Sequence, residues 1–358
     1  MRKESLNFLK TLLTTASPSG FESDIQDVWT DYIRKHVNIV QRDYHGNVIG
    51  ISNLAATLGS NAPILLFAGH CDELGLMVGH IDDNGFIYVK GIGGHDSAIL
   101  PGKRVKIQTW EGGEVYGVIG KKSIHAMTPD ERKAEPKLEN IWIDLGAHSK
   151  ADVEKLGIKI GDAMTVNLDF EMLEQNFACA RFDDKVGAFC IAEILRLIDK
   201  KPLQCSVFGV STVQEEIGLR GAKTSTYGVD PDIGIAIDVT VATDYPTMNV
   251  NKDGLLKVGE GPVISRGANF NRHVVKLLIA TAEKLNIPYQ IDAHAGGTGT
   301  DANAIQLTRA SVATGLVSIA TRYLHTPSEI LSLDDVENTI KLLVGFTETI
   351  KNKEDFIQ

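Results

Sequence analysis

The stretch PILLFAGH, residues 63–70, decides the fold class of this chain. Its apolar run is continuous rather than alternating, which is typical of a strand covered on both faces of an α/β sheet. Two similar runs end at acidic residues: CSVFGVSTVQ is followed by Glu215 and Glu216, and DIGIAID ends at Asp238. Helix-length amphipathic segments alternate with these runs, such as DDKVGAFCIAEILRLIDK at 183–200. This alternation predicts an α/β fold with a mainly parallel sheet flanked by helices.

The pattern changes between residues 73 and 177, where short alternating runs replace the helical segments. LGLMVGHI, FIYVKGI, RVKIQTW and VYGVIG each indicate a short strand, with turn signals such as DNG and EGG nearby. Many short strands without long helices predict a small β-barrel or sandwich. We therefore predict a catalytic α/β domain made of residues 1–72 and 178–358, interrupted by an inserted small β-barrel domain at 73–177.

Length, charge and cysteine content limit the classes of function. The chain has 358 residues, which is enough for two domains, and a net charge of −10. This charge argues against a nucleic-acid or anionic-membrane partner, because both need a basic face. No run approaches the ~20 apolar residues of a membrane span, and the first fifteen residues predict an amphipathic helix rather than a signal peptide. The four cysteines form no CxxC pair, and a reducing cytoplasm is the simplest compartment.

Residues able to bind metal ions follow the strand-like runs. His70 and Asp72 form an H-x-D pair, and on a strand these positions share a face, so Asp72 can accept the second ring N–H of His70. Asp183 opens a predicted helix, where a carboxylate can cap the helix and also bridge two ions. Glu215 and Glu216 are adjacent carboxylates that repel each other. A role as ligand for one and as general base for the other accounts for both.

Asp238 and His325 complete the candidate set. Asp238 ends an apolar strand, where an unpaired acid is costly, and His325 lies in RYLHTPSEI between a strand and a helix. Each residue alone also has an ordinary structural interpretation, so the combination carries the prediction. Ligands of one site gather where strands of an α/β sheet end. Two His and three carboxylates suit a pair of divalent ions such as Zn, Co or Mn, which can polarise a carbonyl and activate water.

With these residues in view, the chain resembles the tetrahedral aminopeptidase / glutamyl aminopeptidase family of dinuclear metallopeptidases, some of whose members carry the label endoglucanase M. The matching stretches, in the family's order, are SPSGFE at 17–22, AGHCDELGLMV at 68–78, RFDDKVG at 181–187, VQEEIGLRGA at 213–222, AIDVT at 236–240, GGTGTDA at 296–302 and RYLHTPSE at 322–329. They span nearly the whole chain. One position departs from the family pattern: the basic residue after the two acidic ones is often Arg and here is Lys185.

The resemblance implies a role for each candidate residue. It makes Asp183 the bridge between two divalent ions, with Zn or Co expected first and Mn as an alternative. The remaining ligands would be, for one ion, His70 and Asp238 and, for the other, Glu216 and His325. Glu215 would be the general base, and Asp72 would support His70. The resemblance also implies a zinc-peptidase-like fold, dimer contacts through the inserted barrel, and six dimers that form a hollow tetrahedral dodecamer.

These observations predict a cytoplasmic aminopeptidase that releases N-terminal residues from peptides and forms a homo-oligomer, with a dodecamer favoured over a lone dimer. A metal-dependent amidohydrolase of N-acyl amino acids is the first alternative, because the metal ligands alone do not exclude it. A glycosidase is a second alternative, but glycosidases generally use two carboxylates without metals, which leaves both His ligands without a purpose. The third is a binding protein that has lost activity, against which the presence of every ligand and the base argues.

Overall fold

The computed structural model describes residues 1–53, 61–166 and 169–358. The strands of this part are β1 Ile39–Arg42, β2 Val48–Ser52, β3 Ile64–His70, β4 Gly75–Ile81, β5 Ile87–Ile92, β6 Arg104–Gln108, β7 Glu114–Gly120, β8 Trp142–Asp144, β9 Ala163–Val166, β10 Glu171–Met172, β11 Phe177–Ala180, β12 Ser206–Thr212, β13 Ile233–Val241, β14 Val263–Gly267, β15 Gln290–His294, β16 Ala313–Thr321 and β17 Glu329–Ser332. The α-helices are α1 Lys3–Thr14, α2 Ser23–Ile33, α3 Pro129–Lys133, α4 Lys150–Lys155, α5 Lys185–Ile198, α6 Arg220–Val229, α7 Val250–Asp253, α8 Arg272–Leu285, α9 Asp301–Ile305 and α10 Leu333–Thr349.

The centre of the described chain is an eight-stranded sheet with the strand order β1-β2-β12-β3-β13-β16-β14-β15. β3 runs parallel to β12 on one side and to β13 on the other, and β13 runs parallel to β16. Antiparallel pairs join β1 to β2, β2 to β12 and β14 to β16. Residues 65–68 of β3 are completely buried, and helices α5, α6 and α9 all contact this strand. The predicted mainly parallel sheet with flanking helices is confirmed.

Helix α5 approaches β3 very closely at the end of the strand. A Cβ atom added to Gly69 would lie 2.9 Å from the backbone of Gly187, which is too near for any real side chain. Glycine at position 69 therefore lets the first turn of α5 lie directly against β3, and glycine at position 187 leaves room for the carboxylate of Asp184. This contact brings Asp183, just before the helix, next to His70 at the end of the strand.

The inserted segment forms a second layer of structure. Within the described residues, β4, β5, β8, β7, β6 and β9 close in that order into a barrel. Its interior is a separate apolar core that includes Leu76, Ile107, Ile119 and Met164. The short strands predicted either a barrel or a sandwich, and the structure shows that they form a barrel. The predicted fold class, an α/β fold with an inserted small β-barrel, is confirmed.

The amino-terminal part of the chain also follows the pattern of its residues. Helix α1 buries Leu9, Leu12 and Leu13, and the Ser-Pro-Ser-Gly stretch at 17–20 separates it from α2. β1 and β2 pair antiparallel as a hairpin whose turn contains residues 45–47. Cys71, directly after β3, is a completely buried thiol. None of the helices formed by the described residues is long and apolar enough to cross a membrane.

Candidate metal centre

The candidate residues meet at the carboxyl ends of the central parallel strands. His70 is the last residue of β3, and Glu215 and Glu216 follow β12. Asp238 lies in β13 two residues beyond Ala236, which pairs with Ala68 of β3, so it is level with His70. His325 follows β16. Strand ends of this kind are where α/β folds place their sites, which is why residues distant in sequence converge here.

The side chains form two groups of potential ligands. The first group contains His70, Glu215 and Asp238, and the second contains Asp183, Glu216 and His325; in each, the ligand atoms lie within 4.8 Å of one another. Asp183 also faces the first group: its Oδ1 lies 3.2 Å from Nε2 of His70, and its Oδ2 lies 3.2 Å from Nε2 of His325. One carboxylate thus presents an oxygen to each group, as a bridging ligand would.

Carboxylates outnumber cations in this buried space. Burial raises the pKa of Glu215 to about 10 and the pKa of both Glu216 and Asp238 to about 8. Neighbouring carboxylates contribute to these upward shifts and His70 opposes them, because adjacent negative charges destabilise one another in a medium of low dielectric constant. Divalent cations would supply the missing positive charge. Imidazole and carboxylate ligands together fit borderline divalent ions, so the residues present fit a metal pair.

The pKa values of the two histidines are raised as well, which favours their charged forms. Hydrogen bonding to Asp183 raises the pKa of His325 to about 9. Burial acts to lower the pKa of His70, but Glu215 and Asp183 raise it well above its usual value. Burial likewise acts to raise the pKa of Asp183, yet the two histidines hold it below its usual range. The structure thus has Asp183 ionised between two imidazoles.

Asp72 contacts more of the site than the H-x-D pattern predicted. Nδ1 of His70 lies 3.0 Å from the backbone carbonyl of Asp72 and 3.5 Å from its carboxylate, so the carbonyl is the nearer acceptor. The carboxylate accepts the backbone N–H of Glu215 at 3.0 Å and of Glu216 at 3.2 Å. It also accepts the hydroxyl of Ser19 at 2.6 Å. Asp72 therefore positions both glutamates as well as the histidine.

Two further side chains hold the same segment and were not singled out from the sequence. Asn47 accepts the backbone N–H of Val213 at 3.1 Å, and Glu22 accepts that of Gln214 at 3.1 Å. Burial, with a contribution from Asp72, raises the pKa of Glu22 to about 7. Every amide from residue 213 to residue 216 is thus bound by a side-chain oxygen, which fixes the backbone that carries the glutamates.

Glu329 likewise fixes the backbone that carries two members of the second ligand group, Asp183 and His325. One of its carboxylate oxygens accepts the backbone N–H of Phe182 at 2.6 Å and of Asp183 at 3.0 Å, and the other accepts that of His325 at 2.9 Å. The side chain is completely buried, and burial raises its pKa to about 8. Its signal in the sequence is an acid at the start of a strand, four residues after His325.

Comparison with known proteins identifies the family of this chain. The model of the M42 glutamyl aminopeptidase family matches residues 52–342. The chain belongs to this family. Lysyl aminopeptidase of Pyrococcus furiosus is 34% identical over 354 residues, covering 96% of each chain. M42 family membership makes the protein a hydrolase of the aminopeptidase class.

Solved structures of relatives show the same fold. The TET aminopeptidase from a marine sediment archaeon of the Thaumarchaeota superposes with a TM-score of 0.92 at 33% identity, covering 99% of each chain. The TET1 peptidase of Pyrococcus horikoshii gives a TM-score of 0.84 at 29% identity, covering 97% of this chain and 100% of that one. That peptidase can assemble into a tetrahedron or a large octahedral shell.

The position at which this M42 protein departs from the family pattern lies behind the site. Lys185 is completely buried, and its Nζ lies 3.1 Å from the carboxylate of Glu73 and donates to the carbonyl of Thr15 at 2.7 Å. The guanidinium of Arg181 lies 3.6 Å from the same carboxylate. Burial lowers the pKa of Lys185, with Glu73 opposing the shift. The lysine therefore neutralises Glu73 and contacts none of the candidate ligands by an ion pair.

A cavity of about 470 Å³ opens onto the two ligand groups of this M42 protein. All six members of the groups line it, together with Gly299 and Thr300 of the GGTGTDA stretch. A larger cavity of about 720 Å³ lies at the opposite ends of β13 and β16 and contains none of the candidate ligands. The smaller cavity is therefore the candidate substrate site.

Proposed function

We propose that this M42 protein releases N-terminal residues from peptides at a pair of divalent ions. The observation that carries the proposal is the position of Asp183, whose two carboxylate oxygens each lie 3.2 Å from a histidine of a different ligand group. His70 and Asp238 would complete one ion, and Glu216 and His325 the other. Ions bound there would polarise the scissile carbonyl and activate a water molecule.

Within this proposal Glu215 is the general base. It lines the cavity beside the ligands, and one of its carboxylate oxygens lies 3.8 Å from Nε2 of His70. Glu215 would take the proton of the attacking water and deliver it to the leaving amine. Asp72 would keep the base in place through its hydrogen bond to the Glu215 amide and would orient His70 through its own carbonyl.

Family membership supports peptide-bond hydrolysis over the two other hydrolase readings of the sequence. A glycosidase would leave His70 and His325, both directed at Asp183, without a role. An amidohydrolase of N-acyl amino acids would use a similar metal centre but would act on substrates whose amine is blocked. Hydrolysis of an aminoacyl anilide with a free α-amine, and none of its N-acetyl derivative, distinguishes the two activities.

We also propose a homo-oligomeric assembly of a cytoplasmic enzyme. Residues 73–177 would form the dimerisation domain, and six dimers would build a tetrahedral dodecamer. The TET relatives support the assembly. Exposed apolar side chains of the barrel segment support an interface there, with Trp110 exposed to 78% and Tyr116 to 64%. The four unpaired cysteines are compatible with a reducing compartment.

Removal of the metal ions tests the proposal directly. Prolonged chelation should abolish hydrolysis of aminoacyl anilides, and addition of Zn, Co or Mn should restore it, with metal analysis giving about two ions per chain. The apo protein should keep its far-UV circular dichroism, because the sheet and its core do not depend on the ligands. Full activity in a sample verified to be free of metal would contradict the proposal.

A further inference from the structure

We propose that the enzyme prefers an uncharged aliphatic N-terminal residue, such as leucine, over glutamate and lysine. This preference rests on the proposed aminopeptidase function and adds the substrate class to it. The proposed preference differs from the specificities by which related proteins are named. The family is called glutamyl aminopeptidase, and the Pyrococcus furiosus relative is a lysyl aminopeptidase.

The wall of the 470 Å³ cavity carries the argument. Apart from the six candidate metal-centre residues, its lining consists of Gly218, Leu219, Val239, Gly299, Thr300 and Leu324. None of these six is charged, and three have aliphatic side chains. The volume lies within the range of small-molecule sites, so the cavity can receive the first residue of a peptide. An aliphatic side chain entering it would bury its surface against Leu219, Val239 and Leu324.

Among the described residues, no lysine or arginine lines this wall to pair with a glutamyl side chain. Arg220 directs its guanidinium to the side-chain oxygen of Gln214, 3.3 Å away, and is exposed. Arg322 donates two hydrogen bonds to the carboxylate of Asp244, at 2.8 and 2.6 Å. Neither arginine lines the cavity. A carboxylate buried against Leu219 would therefore lose its hydration without gaining a partner.

A lysyl side chain would likewise lack a free partner of opposite charge among the described residues of this wall. Every acidic residue that lines the cavity belongs to the candidate metal centre, where bound ions would already balance its charge. Asp301 accepts the hydroxyl of Thr212 at 2.6 Å with one oxygen, and its other oxygen has no hydrogen-bond partner among the described residues, but the residue is buried and does not line the cavity. An ammonium group in the cavity would thus lack a free carboxylate, and the aliphatic wall favours leucine over lysine.

Hydrolysis rates of leucyl, glutamyl and lysyl p-nitroanilides by the metal-loaded enzyme test the preference. We expect kcat/KM for the leucyl substrate to exceed both others by at least about tenfold, and free leucine to be the strongest competitive inhibitor of the three amino acids. A glutamyl or lysyl substrate that equals or exceeds the leucyl one would overturn the preference and leave the aminopeptidase function standing. Failure to cleave any of the three would overturn both proposals.

A substitution in the cavity wall gives a second test. Leu219→Arg adds a cation to the wall, so the ratio of glutamyl to leucyl kcat/KM should rise by at least about tenfold. Arg220→Gln is the matched control, because this neighbouring cation lies outside the cavity, and the ratio should not change. A fall in glutamyl hydrolysis in Arg220→Gln would show that Arg220 reaches the substrate and would overturn the argument. The wild-type ranking decides the question even where Leu219→Arg does not fold.

Discussion

Glu215 and Glu216 carry the same chemical group but have different neighbours. Glu215 lies 3.8 Å from Nε2 of His70, in the ligand group that contains Asp238. Glu216 belongs to the group of His325. The carboxylate of Asp72 accepts the backbone N–H groups of both glutamates. This fixes the backbone, so neither glutamate side chain can take the position of the other. The assignment of base and ligand is therefore testable one residue at a time.

The substitution Glu215→Gln should leave about two metal ions per chain while kcat falls by at least ~10²-fold, the usual scale for the loss of a general base. The amide keeps the shape of the side chain but cannot take the proton of water. Metal analysis and steady-state kinetics on the same sample measure both quantities. Glu216→Gln is the matched control and should lose metal. If Glu215→Gln loses metal and Glu216→Gln does not, the two roles are reversed.

The sequence predicted the side chains that face the cavity better than those that hold them. His70 and Asp238 were recognisable because each combines a metal-binding side chain with the end of an apolar run. Asn47 lies in the turn before β2 and Glu329 is the first residue of β17, and neither position signals a role in the site by its sequence alone. Their roles depend on amides 166 and 146 positions away, a pairing that local periodicity does not contain.

At the scale of elements, the segment that follows β12 is held by side chains rather than by a strand ladder. Asn47 is completely buried and lies at its start. Besides accepting from Val213, it donates to Asp43 at 2.7 Å and to Thr224 at 3.0 Å. Three parts of the chain therefore meet at one amide side chain, and the position of the glutamates depends on it.

Asn47→Ala should lower the free energy of unfolding by about 1–3 kcal/mol, because the buried N–H of Val213 loses its acceptor. It should also lower kcat, since the first of the four fixed amides becomes free. Urea unfolding and kinetics on the same variant measure the two effects. Asn251→Ala, at an exposed helical position, is the control and should change stability by less than about 0.5 kcal/mol. Equal stability of the two variants would contradict the role of Asn47.

The elements themselves were largely predictable, whereas their order in space was not. PILLFAGH and DIGIAID both indicated buried strands, and the structure places them side by side as β3 and β13. A continuous apolar run shows that a strand is covered, but not which strand lies next to it. In the same way, the alternating runs after residue 73 are compatible with either a barrel or a sandwich. The pairing of β4 with β9 is what closes the strands into a barrel.

At the scale of the whole molecule, the proposed dodecamer makes a prediction about mass. Light scattering on the purified protein should give a value near twelve times the 38.9 kDa of one chain. A closed particle needs several interfaces, so dilution should show steps rather than a continuous fall. A mass near one chain across a wide concentration range would contradict any oligomer. A mass near two chains would contradict the larger particle alone.

The ion cluster around Glu73 limits how this enzyme can be divided into fragments. Glu73 is the first residue of the proposed inserted domain, yet its carboxylate faces Lys185 and Arg181 and accepts the hydroxyl of Thr165 in β9. A truncation that joined residue 72 directly to residue 178 would remove this carboxylate and leave two buried cations without a counter-charge, at a cost of several kcal/mol. A minimal catalytic fragment would therefore have to retain Glu73, because the covalent boundary of the insertion and its electrostatic boundary do not coincide.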